Sequence, residues 1–145
     1  MNAFEHAWSL LKMPFHGTTE DKIEGGRFFG GIKRQGIKPP KGGSAYFTDS
    51  PTIAADYAGV RAQQQSSRPV MIHFPEDDVP KDSVREPVYR TTGKTIPQSN
   101  FTYNYGPLRQ QNMTDEQYKQ QLSNWSKQME NQYGGEWARE NKEGA

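Results

Sequence analysis

The sequence predicts a small α+β domain, and three stretches carry that prediction. Residues 69–74 (PVMIHF) alternate Val70, Ile72 and Phe74 with Met71 and His73, as a strand with one face inward does. Residues 50–62 open on Ser50-Pro51, a serine cap with proline at the first helical position. Residues 114–129 open on a Thr114/Gln117 capping box and repeat Tyr118, Leu122, Trp125 and Met129 on one helical face.

Composition limits what such a domain does. The 145 residues suit one compact unit, with residues 1–108 as its body and residues 109–145 as a polar helical extension. With 32% apolar residues the core is small. A net charge of +1 favours neither nucleic acid nor membrane as a general partner. The absence of cysteine excludes disulfides, thiolate metal sites and a thiol nucleophile, and fits a reducing compartment. No apolar run approaches the roughly 20 residues of a membrane span, and the N-terminus lacks a signal-peptide layout. The expectation is a monomeric, cytoplasmic protein.

Taken in order, Asn2 caps a first helix whose face is Phe4, Ala7, Trp8 and Leu11 and which ends before Pro14. Residues 15–18 form a short extended segment. Thr18 and Asp21 start a second helix, and the glycines between 25 and 31 leave that interval a broken or short helix. Residues 31–37 end a helix with Gly36 as terminator and Ile37 packing back. Residues 38–44 (KPPKGGS) are a loop, and residues 45–48 a short strand. The helix after Ser50 is expected to face inward with Ile53, Ala54, Tyr57, Ala58 and Ala62. Residues 87–90 and 94–96 read as strands around Gly93, and residues 100–105 (NFTYNY) as an aromatic edge strand. The helix from Thr114 stops at Gly134-Gly135, either docked over the sheet or presenting its face to a partner. Residues 140–145 are expected to fray.

The chemistry resides in spacing. His16-Gly17-Thr18 is followed by Gly31-Ile32 and Gly36-Ile37, then by Tyr46-Phe47, with Tyr57 eleven residues after Tyr46. This pattern, over about residues 15–58, resembles the ADP-ribosyltransferase fold of the poly(ADP-ribose) polymerase type. The resemblance implies split antiparallel sheets with flanking helices, with NAD as co-substrate. It implies that His16 bonds a ribose hydroxyl and that Gly17 binds the carboxamide through its backbone. It further implies that Thr18 lies in the same binding strand and that Tyr46 and Tyr57 enclose the nicotinamide. A cationic ring between aromatic faces gains stacking and cation–π attraction of roughly 0.5 to 2 kcal/mol.

Cleavage of the nicotinamide–ribose bond passes through an oxocarbenium-like state that a carboxylate stabilises. Glu86, before Pro87, is the candidate, so the implied catalytic set is His16, Tyr46 and Glu86; Glu76 and Gln98 are alternatives. The sequence departs from the family in a longer interval before Gly31, in Ala54 where a serine is common, and in a short 38–44 loop. The cations Arg27, Lys33, Arg34, Lys38 and Lys41 are either a solvated surface or an attraction for phosphates. His6, His16 and His73 are too dispersed to suggest a metal site.

The implied function is transfer of ADP-ribose, one unit at a time, to a macromolecule, with protein favoured over nucleic acid. Such a chain suits a virus-borne modifier acting in host cytoplasm. Two alternatives stand: an RNA 2′-phosphotransferase-like enzyme, which would need arginines such as Arg34, Arg61 or Arg90 at the site, and a non-catalytic module binding a nucleotide or protein.

Overall fold

The computed structural model describes residues 14–26 and 30–134. The expected helix at residues 2–13, Arg27 and the tail from residue 135 lie outside the described residues. Within them the chain is α+β, as the sequence predicts. It runs β1 (Phe15–Thr19), α1 (Glu20–Glu24), α2 (Ile32–Gln35), β2 (Ala45–Phe47) and α3 (Pro51–Gln65). It continues through β3 (Pro69–His73), β4 (Val84–Arg85), β5 (Arg90–Thr92), β6 (Thr102–Tyr105) and α4 (Asp115–Met129), and α4 widens into a π-turn over Glu130–Gly134.

The strands form two separate antiparallel sheets, ordered β1-β3-β6 and β2-β5-β4. In the first, Gly17 lies opposite Met71 and Asn104 lies on the other side of Met71. In the second, Tyr46 lies opposite Thr91. Residues 100–105 supply the expected edge strand. The segment 87–90 is instead mostly turn, and its strands are the flanking Val84–Arg85 and Arg90–Thr92.

Local signals placed the long helices. Ser50 accepts the Ile53 amide at 3.2 Å with Pro51 behind it, and Thr114 and Gln117 exchange both bonds of a capping box. Gly36 ends α2 at φ 77°, where its amide reaches Ile32, and Ile37 is buried in a bridge to Ile96. The second helix starts one residue later than expected: Thr19 holds the cap position, with its hydroxyl turned to Asp21 and Gln65 rather than to a backbone amide.

Tertiary packing changed two faces. β3 is buried on both sides, because it is the central strand between two layers. Val70, Ile72 and Phe74 meet Ile23, Ile37, Phe47 and Ile96 on the side of the second sheet. Met71 meets Phe15, Ala54, Ala58, Trp125 and Met129 on the side of the helices. α3 buries its small residues, Ala54, Ala55, Ala58, Gly59 and Ala62, and turns Ile53 and Tyr57 outward. The reason is close approach: a methyl on Gly17 would sit on the Ala54 carbonyl oxygen, so α3 lies against β1 at a distance that only small side chains allow. α4 covers α3, with Leu122 against Gly59, and Trp125 lies against Gly106. This is the docked alternative for the C-terminal helix.

Candidate functional site

The two sheets touch along one seam, and His16, Gly17 and Tyr46 lie at it. Phe15 and Thr48 exchange both backbone bonds, at 2.7 and 2.9 Å, in a single isolated bridge. Continuing that antiparallel register would pair Gly17 with Tyr46. The ladder stops instead, and the His16 ring fills the next position, its Nδ1 2.6 Å from the Tyr46 carbonyl oxygen.

Alternation along β1 makes the consequence explicit. The polar backbone groups of Phe15 face β2, so those of His16 and Thr18 face β3 and those of Gly17 face the seam. β2 gives no backbone bond to the Gly17 amide or carbonyl. Gly17 thus serves two neighbours. Its missing side chain admits α3, and its backbone pair lies at the parting of the sheets.

The Tyr46 carbonyl is an acceptor, so His16 Nδ1 carries a proton and donates it. Burial holds the imidazole below its ordinary pKa, against the opposing effect of the Tyr46 bond. At neutral pH the ring is therefore neutral, with Nε2 as an acceptor able to take a hydroxyl proton. Thr18 is buried one step further along β1.

The tyrosines are exposed, at 56% for Tyr46 and 53% for Tyr57. Their ring contacts lead apart. Tyr46 meets Tyr89 edge to face, with centroids 5.3 Å apart at 64°, and Tyr57 lies beneath the Arg61 guanidinium at 5.8 Å. Both expose aromatic surface, and neither described contact joins one ring to the other.

Glu86 lies on the exposed turn of the β4–β5 hairpin, where its amide bonds the Tyr89 carbonyl at 2.8 Å. Among the described residues no group bonds its carboxylate. Both alternatives are engaged. Glu76 takes both Arg90 terminal nitrogens at 2.6 and 2.7 Å, and Gln98 donates to the Arg34 carbonyl.

The chain was compared with protein-family models, curated proteins and solved structures, and it matches none of them.

Sequence reasoning named Arg90 and Glu76 only for alternative sites and missed the ion cluster they form with Asp49. The Arg90 side chain is 5% exposed, stacks on Phe47 at 4.7 Å, and joins Glu76 to Asp49 at 2.8 Å, while Arg85 reaches Asp49 from outside at 2.9 Å. Burial alone would lower the guanidinium pKa, but Glu76 and Asp49 together raise it, so the charge is held. The only sequence signal was a lone arginine at a strand start after an acidic loop, which is too common to read. A separate cavity of about 250 Å³, lined by Ala62, Gln63, Ser66, Leu108, Arg109 and Tyr118 among others, lies at the C-terminal end of α3. Among the described residues no helix is long and apolar enough to cross a membrane.

Proposed function

We propose that the protein binds NAD at the seam between its sheets and transfers ADP-ribose to a macromolecular acceptor, more readily a protein than a nucleic acid. The observation carrying this reading is the parting of β1 from β2 at Gly17 and Tyr46, with His16 bridging the gap. The Gly17 backbone donor and acceptor, unpaired with β2, match the carboxamide of nicotinamide, which offers one acceptor and two donors. The neutral His16 Nε2 suits a ribose hydroxyl, and the exposed Tyr46 and Tyr57 rings suit a flat cation. The ADP-ribosyltransferase-like arrangement of split sheets belongs to the same reading.

In this mechanism His16, Gly17, Thr18, Tyr46 and Tyr57 hold the dinucleotide. Glu86 supplies negative charge beside the anomeric carbon as the nicotinamide bond breaks, and it orients the acceptor nucleophile that closes on that carbon. The proton lost by the acceptor passes to the carboxylate or to water.

Calorimetric titration with NAD, alongside nicotinamide release in the presence of cell extract, tests both halves. Wild type binding NAD and releasing nicotinamide, with Glu86→Gln binding equally but releasing at least about a hundredfold more slowly, supports the reading. Absence of NAD binding by wild type sinks it.

The place of Glu86 on an exposed hairpin turn favours one second reading, a nucleotide-binding module without catalysis. NAD binding with no nicotinamide release from wild type would select it. The phosphotransferase alternative has less support, since Arg90 is buried and already paired with two carboxylates.

A further inference from the structure

The Tyr46 ring is more than half exposed and stands on a strand of three residues, yet an aromatic wall must hold one orientation to stack on a ligand. What restrains it is Tyr89. The two rings meet edge to face at 5.3 Å, and hydrogen bonds hold the turn carrying Tyr89. The Tyr89 carbonyl accepts the Glu86 amide at 2.8 Å, and the preceding Val88 carbonyl accepts the Thr48 hydroxyl at 3.0 Å. The following residue, Arg90, is the buried guanidinium clamped by Glu76 and Asp49 against Phe47, next to Tyr46 in the chain. The ion cluster thus fixes both sides of one aromatic contact.

We infer that Tyr89, anchored through Arg90, is a positioning residue of the seam: it holds the Tyr46 ring in the orientation that receives a flat nucleotide base. This rests on the NAD-binding reading. Tyr89 touches no reacting atom in this role; it acts through Tyr46. The contact needs a ring and not a hydroxyl, so phenylalanine at position 89 substitutes for tyrosine and leucine does not.

The test is NAD titration of wild type, Tyr89→Phe and Tyr89→Leu, with the thermal midpoint of each recorded. Tyr89 is 42% exposed, so neither change is expected to unfold the protein. Leucine should raise the Kd for NAD about three- to tenfold with an unchanged midpoint, and phenylalanine should stay within about twofold of wild type. The Tyr46 ring resonances, shifted by the Tyr89 ring current in the free protein, should move in the leucine variant alone. Wild-type binding retained in Tyr89→Leu overturns the inference and leaves the NAD reading standing. Absence of binding in wild type overturns both.

Discussion

His16 donates its Nδ1 proton to the main-chain carbonyl of Tyr46 at 2.6 Å, and this bond closes the gap where the two sheets part. The ring has two separable duties, because Nδ1 holds the seam and Nε2 is left as an acceptor. Asparagine keeps a donor near the Nδ1 position but has nothing at Nε2. His16→Ala should therefore lose about 1–2 kcal/mol of stability by stranding the Tyr46 carbonyl, and also lose NAD affinity at least about tenfold. His16→Asn should recover most of the stability and none of the affinity. Urea denaturation and calorimetry read the two effects separately.

Gly17 and α3 make a second prediction. A methyl at position 17 would overlap the Ala54 carbonyl oxygen, which belongs to helix backbone and has no side chain to swing away. Gly17→Ala should cost at least about 2 kcal/mol as α3 is pushed off β1, visible as a lower denaturation midpoint. Gly26→Ala, where an added Cβ meets nothing within 4 Å, serves as the control and should stay near wild type.

Arg90 carries a third. Removing it leaves Glu76 and Asp49 facing each other without their shared cation. Both carboxylates keep some solvent contact, so the loss falls below that of a fully buried pair. Arg90→Met should cost about 2–3 kcal/mol. Lys33→Ala, breaking the exposed pair with Glu24, should cost less than about 0.5 kcal/mol. Denaturant titrations of the two variants at matched pH make the comparison.

The histidines set the response to mild acid. Burial lowers the pKa of both His16 and His73, and His73 Nδ1 is buried with no hydrogen-bond partner, packed against Phe15 and Tyr133. The unfolded chain takes up protons near pH 6.5, whereas the folded chain resists until lower pH. Stability contributed by the neutral rings is thus complete above about pH 6.5 and falls as pH drops toward the folded values, by at most about 1.4 kcal/mol per pH unit for each histidine. Urea midpoints between pH 7.5 and 5 should show this decline. His73→Leu should lessen its slope at little cost at pH 7.5, since the buried Nδ1 bonds nothing. A stability independent of pH over that range would contradict the assignment.

By itself the sequence determined what local chemistry decides. Ser50-Pro51 and the Thr114/Gln117 box start helices because a cap needs only residues within four positions, and the 3–4 spacing of Tyr118, Leu122, Trp125 and Met129 named the buried face of α4 correctly. The strand at residues 69–73 was legible for the same reason, since alternation is a local pattern. Tertiary structure decided what depends on residues far apart in the chain. Periodicity favoured Ile53 and Tyr57 for the inner face of α3, but Gly17 and β1 admit only alanines and glycine there, so both larger residues turned to solvent. No pattern in the chain foretold that β3 would be covered on both sides, that Arg90 would be buried between Glu76 and Asp49, or that His16 would reach a carbonyl thirty residues away. Hydropathy and capping report the energy of a residue within its own element, whereas the seam is made by two sheets whose contact neither element encodes alone.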